Sequence, residues 1–143
     1  MSERTSTREL NKLSVSNPGR FRRMIVEGDP VFLKESIGER LKDLFEKHNK
    51  KVSDVISTSL LSKSYVYQVL QGEREPSREA LIKMGIAAGC DLEEIQHLLM
   101  LAGEGVLYSK VRRDAAIMFC IGKDMNLYDT DAFLAEIGEK GLL

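Results

Sequence analysis

The chain has no apolar stretch approaching the roughly 18 residues that a membrane-spanning helix requires, and its opening MSERTSTREL lacks the apolar run of a secretory signal. A cytoplasmic protein is the resulting expectation. It has only two cysteines, Cys90 and Cys120, thirty positions apart and without a C-x-x-C pair. A chain of this size needs no disulfide, so both are expected to be buried thiols. With His48 and His97 they supply four conceivable metal ligands, but no two are spaced like a zinc knuckle, and no metal or other cofactor is expected. Also missing are a phosphate-binding loop G-x-x-x-x-G-K, H-E-x-x-H, G-x-S-x-G and G-x-G-x-x-G, and a non-enzymatic protein is expected. Nor is there an excess of basic charge: the net charge is −1, without the basic balance that usually marks a nucleic-acid partner.

What is present is an ordinary globular composition, with 43% hydrophobic and 30% charged residues in 143, enough for one domain with appendages. The charge is unevenly spread. Residues 1–33 carry six basic and four acidic groups, 34–91 ten and nine, and 92–143 five and nine, so the acidity sits in the last third.

Residues 1–33 are rich in Ser, Thr, Asn and Arg, contain Pro18-Gly19 and Gly28-Asp29-Pro30, and show no sustained apolar period. They read as a flexible arm with at most a helical turn near Met24 to Val26. From Leu33 the pattern changes. Leu33, Ile37, Leu41, Leu44 and Phe45 mark one face of a helix over about residues 34–48. Val52, Val55 and Ile56 mark a second helix of about two turns. Ser62 is a good N-cap for a third helix ending at Gly72, and Glu73-Arg74-Glu75-Pro76 forms the loop beyond it. Ser77 caps a fourth helix with Leu81, Met84, Gly85 and Ala88 on one face, stopped by Gly89. Asp91 and Glu94 resemble a capping box for a fifth, whose apolar face is Leu92, Ile95, Leu98, Leu99 and Ala102. Two more helices are expected. One follows Ser109 with Val111, Ala115, Met118 and Phe119 inward; the other follows Asn126 with Leu127, Phe133, Leu134 and Ile137 inward. No segment reads as a strand, so the fold class is all-α. The organisation is an arm over residues 1–33, a helical domain over 34–102 and a helical extension over 103–143.

The third helix is two-sided. At about 100° per residue from Lys63, the residues Lys63, Tyr67, Gln71, Ser64 and Gln68 fall within about 140° of arc, while Tyr65, Val66, Val69 and Leu70 occupy the rest. The outer face carries hydrogen-bonding groups and no carboxylate. Such a face suits the major groove, where side chains must donate and accept at base edges without opposing phosphate charge. It equally suits a solvated face of a small bundle.

The run S-K-S-Y-V-Y-Q-V-L-Q-G, the segment G-E-R-E-P-S from Gly72 to Ser77, the pair Val55-Ile56 and the helix pair A-L-I-K-M-G-I-A-A-G-C-D-L-E-E-I resemble the phage-repressor-like (XRE-type) helix-turn-helix family over about residues 37–99. The resemblance implies a five-helix domain that binds double-stranded DNA as a transcriptional regulator of repressor type. Helix 62–71 would be the recognition helix, and the preceding helix would lie across the phosphate backbone. Carried over by position, Lys63, Ser64, Tyr67 and Gln68 would read bases, and Ser62, Tyr65 and Arg74 would contact phosphates. Val66, Val69 and Ile56 would be structural. The residue types agree with those roles, since Gln pairs with adenine, Lys donates to guanine and a Ser hydroxyl serves either base or phosphate. For Tyr67 a second placement, half-buried against Arg74 or the second helix, stays open.

The sequence departs from the family at two positions, with Leu60 where the turn usually has glycine and Val52 where the second helix often opens with glutamine. Left-handed leucine costs about 1–2 kcal/mol, so a remodelled turn is expected. The C-terminal helices resemble an extension found in a subset of these regulators and are expected to pack on the first and fifth helices or on a second subunit, with Tyr108, Lys110, Arg112 and Arg113 as a solvated cluster. A homodimer is expected from the two-half-site symmetry of such regulators. The arm's Arg20-Phe21-Arg22-Arg23 is either a backbone- or minor-groove-following segment or a leader without a role. The alternative to DNA binding is a helix-turn-helix-fold module or adaptor that binds a protein partner.

Overall fold

The computed structural model describes residues 7–29 and 36–143; among these there are nine helices and no strand, an all-α architecture. No helix among the described residues is long and apolar enough to cross a membrane. The chain divides into two compact units, Met1–Lys34 and Glu35–Leu143.

The first unit corrects the expectation of a flexible arm, since it holds α1 (Thr7–Ser16) and α2 (Pro18–Glu27), packed on each other. Pro18 opens α2 and Gly28 closes it. The Asn17 side chain accepts the Arg20 N–H at 3.2 Å, and Pro18 occupies the first turn, where its missing N–H costs nothing. At the far end Gly28 is left-handed at φ +66°, and Asp29 N–H reaches back to the Met24 carbonyl at 2.9 Å. Leu10, Leu13, Phe21 and Met24 are half-buried. A stripe this narrow escapes a search for a long apolar period.

In the second unit, α3 (Ile37–Lys47) starts at the cap Ser36, whose hydroxyl accepts Glu39 N–H at 3.1 Å; Leu33 and Lys34, expected to open it, lie outside the described residues. There follow α4 (Val52–Ser59), α5 (Lys63–Leu70), α6 (Arg78–Ala87), α7 (Leu92–Leu101), α8 (Arg112–Gly122) and α9 (Leu127–Glu136). Ser62, Ser77 and Asp91 cap α5, α6 and α7 through their side chains. The centre is α6, expected to bury one face but buried nearly all round at Ala80, Leu81, Ile82, Met84, Gly85, Ile86 and Ala87. A helix apolar on every side has to lie inside, and α4, α7 and α9 pack on it.

The turn after α4, expected to be remodelled, keeps a left-handed residue. Leu60 takes the left-handed conformation itself, at φ +61° and ψ 16°. Its side chain is 71% exposed, so the strain brings no clash with the core. On the two sides of the turn the anchors are Val55 and Ser59 of α4, both buried, and half-buried Leu61, whose N–H donates to Ser59 Oγ at 3.3 Å. This packing holds Leu60 where the backbone alone would not go.

The extension joins the same unit. α8 packs on α7, the expected fifth helix, while α9 packs on α8, α4 and α6 and so meets the second and fourth helices of the expected set rather than the first. The face of α8 is also corrected. Ala116, Ile117, Cys120 and Ile121 are buried, whereas Val111 and Phe119, expected inward, are exposed. Buried Asp114 selects the orientation, accepting Arg78 Nη2 at 2.8 Å and Tyr108 N–H at 3.0 Å. Both thiols are buried, as expected.

Candidate nucleic-acid interface

α5 is fixed to the unit by its apolar side and presents the rest. Val66, Val69 and Leu70 are buried and α3 packs against it. Gly38 makes that contact possible. A Cβ there would overlap the Leu70 carbonyl oxygen and lie 2.9 Å from both the Leu70 carbonyl carbon and the Val69 oxygen. The absence of a side chain at Gly38 lets α3 seat the C-terminal end of α5 by close backbone approach.

On the outward side, Ser62, Lys63 and Ser64 are exposed at the N-terminal end, Tyr67 is 39% exposed and Gln68 is half-buried. Ser62 Oγ accepts Tyr65 N–H at 3.0 Å as the cap, leaving its O–H free to donate. Lys63, Ser64, Tyr67 and Gln68 thus form one surface without a carboxylate, rising from the turn at Leu60.

Arg74 is not an isolated loop cation. Its Nη1 donates to Gln68 Oε1 at 3.2 Å, and Gln68 Nε2 donates to Ser64 Oγ at 3.3 Å. The Arg74 guanidinium sits 4.9 Å from the centroid of the Tyr65 ring, and Tyr65 Oη accepts Ser77 N–H at 3.0 Å. Ser64, Gln68, Arg74, Tyr65 and Ser77 therefore form one chain of contacts across the α5–α6 loop. It is Tyr65, and not Tyr67, that carries Arg74. The Gln68 amide is thereby oriented, with its oxygen on Arg74 and its NH2 toward the Ser64 end of the face. Lys50 and Lys51 at the start of α4 add positive charge, while Asp54, Glu73 and Glu75 add negative charge nearby in sequence and are exposed.

Away from this face, one set of metal-capable side chains comes together among the described residues. An imidazole nitrogen of His48, Cys90 Sγ and a Glu94 oxygen lie within 4.8 Å of one another, whereas Cys120 and His97, the other two cysteine and histidine residues, are not in the group. Burial alone would raise the Glu94 pKa, but hydrogen bonds from Lys47, the Asp91 N–H and His48 outweigh it and hold the carboxyl at about 2. Burial, with Glu94 and Asp91 nearby, pushes the Cys90 thiol up to about 12. The sequence shows the Asp91–Glu94 cap but has no signal that would join His48 to it. Of the expected solvated cluster near α8, Tyr108, Lys110 and Arg112 are exposed and Arg113 is not. Arg113 is 17% exposed and makes two bonds to Glu79, at 2.7 and 2.9 Å. Arg112 bonds Glu139 and the Ile137 carbonyl.

The chain matches no family model, no curated protein and no solved structure.

Proposed function

We propose that the chain is a sequence-specific DNA-binding regulator, with α3 to α7 as a repressor-like five-helix domain and α5 as the helix that enters the major groove. The observation carrying this reading is the carboxylate-free face Lys63–Ser64–Tyr67–Gln68, raised on a helix that follows a tight left-handed turn and is seated by backbone contact with α3. Groove entry needs an exposed helix whose N-terminal half carries short or flexible hydrogen-bonding groups, held on a rigid support. In this reading Lys63, Ser64, Tyr67 and Gln68 meet base edges, and Ser62, Tyr65 and Arg74 meet phosphates, with Arg74 also holding the Gln68 amide. The regulator acts as a homodimer on two half-sites about one helical turn apart.

The test is selection from a random double-stranded DNA library, followed by affinity measurements across salt concentrations. A two-half-site consensus and a linear fall of log K with log salt are expected. Absence of any enriched sequence would refute the reading. The second reading, a module of the same shape that binds a protein partner, is favoured by a groove of about 560 Å³ beside exposed Leu60, with Ile86, Leu127, Tyr128 and Leu143 in its walls.

A further inference from the structure

We propose that His48, Cys90 and Glu94 form a binding site for one zinc-class divalent cation at the junction of α3 with the α6–α7 turn. The three ligands come from separate places in the fold: His48 ends α3, Cys90 lies between α6 and α7, and Glu94 is in the first turn of α7. Bonds of about 2.0–2.3 Å in tetrahedral geometry put ligand atoms roughly 3.3–3.7 Å apart. The ligand atoms lie within 4.8 Å of one another, so side-chain adjustments of about 1 Å bring them to that spacing. His48 Nε2 and Glu94 Oε1, 2.8 Å apart, have to open by roughly half an ångström.

The donor set identifies the class of ion. One imidazole nitrogen, one sulfur and one carboxylate oxygen suit zinc and its cobalt surrogate, whereas magnesium and calcium require oxygen shells. On coordination the Cys90 thiol releases its proton to solvent and forms a sulfur–metal bond, so thiolate and carboxylate together match the 2+ charge. Water completes the fourth position. The Glu94 carboxylate is pre-positioned: its Oε1 accepts Asp91 N–H at 3.0 Å, the kind of outer support that fixes metal ligands, while the Cys90 main chain is held by its N–H to the Gly85 carbonyl at 2.9 Å. An open cleft of about 240 Å³ lined by Arg40, Glu93, Glu94 and His97 gives access to the Glu94 side of the site.

Lys47 is the competitor. Its Nζ lies 2.6 Å from Glu94 Oε2, but the side chain is 63% exposed and can swing into water as the ion arrives. This distinguishes a metal site from a plain ion-pair network pinning α3 to α7. In a network Lys47 matters and Cys90 is indifferent; in a metal site the order is reversed.

The experiment is titration of the chelator-stripped, full-length protein with CoCl2 and then ZnCl2. The expected result is one equivalent of Co2+ with a thiolate-to-cobalt charge-transfer band, bleached by one equivalent of Zn2+, and a Tm raised by Zn2+. Cys120→Ser retains the band, which assigns it to the sole remaining thiol even where Cys90→Ser fails to fold. Glu94→Gln weakens Co2+ binding by about tenfold or more, and Lys47→Gln binds at least as tightly as the parent. The proposal is overturned by no band at millimolar Co2+, by a band lost in Cys120→Ser, or by a Tm indifferent to Zn2+.

Discussion

Arg112 and Arg113 are adjacent, carry the same charge and stand at the start of the same helix, yet their removal should cost very different amounts. Arg113 makes two bonds to Glu79 and one each to the carbonyls of Lys140 and Gly141, at 2.8 and 3.1 Å. The Glu79 side chain is 38% exposed, so the ion pair is screened and is worth about 1 kcal/mol. The two carbonyl bonds, from a charged and largely buried donor, add about 1 kcal/mol each. Arg113→Met, which keeps the side-chain bulk, should therefore destabilise by about 2–3 kcal/mol. For a unit of this size the Tm falls by roughly 10 °C. Arg112 is 65% exposed, so Arg112→Met should cost less than about 1 kcal/mol.

The pair also carries a pH signature. The hydrogen bond from Arg113 outweighs burial and holds the Glu79 carboxyl below its ordinary 4.5. A depressed folded pKa means that the unfolded chain takes up the proton first as pH falls. The contribution is complete above pH 4.5 and disappears as pH drops through the folded value. Urea unfolding of both variants across that window is the assay. Equal losses for the two arginines, or a Glu79-linked loss unchanged in Arg113→Met, would refute the reasoning.

Further outcomes are expected on DNA, in packing and in assembly. Gln68→Ala should cost about 1–3 kcal/mol on the selected DNA site and relax preference at one or two base pairs, and Arg74→Ala should lower the salt slope by about one. Because Arg74 holds the Gln68 amide, the double mutant should depart from additivity by more than about 0.5 kcal/mol; additive losses would separate the two roles. Gly38→Val should destabilise by about 1–3 kcal/mol, since its Cβ meets backbone of α5 that has no rotamer to yield; an unchanged urea midpoint would contradict the packing described. Sedimentation with the selected DNA should give two chains per complete site, and one chain covering it would exclude the homodimer.

Much of the fold was legible in local pattern. The caps Ser62, Ser77 and Asp91, the stop at Gly72 and the stripe Leu41, Leu44, Phe45 are short-range signals, because capping and helical periodicity act within a turn or two of chain. The outward face of α5 is of the same kind. Lys63, Ser64 and Tyr67 stand exposed where periodicity put them, because Val66, Val69 and Leu70 leave only one side to bury.

What tertiary structure alone decided are the cases in which two local answers are equally good or the partners are distant. α8 has apolar residues on both faces, and the buried Asp114–Arg78 pair, not periodicity, turned Ala116, Ile117 and Cys120 inward. Leu60 violates the local rule for its turn, and only packing on both sides keeps it left-handed. The link from Arg74 to Gln68 and the meeting of His48 with Cys90 and Glu94 have no sequence spacing to betray them. Side chains far apart in the chain become neighbours only through the burial of the helices between them, and the free energy of that burial belongs to the whole core.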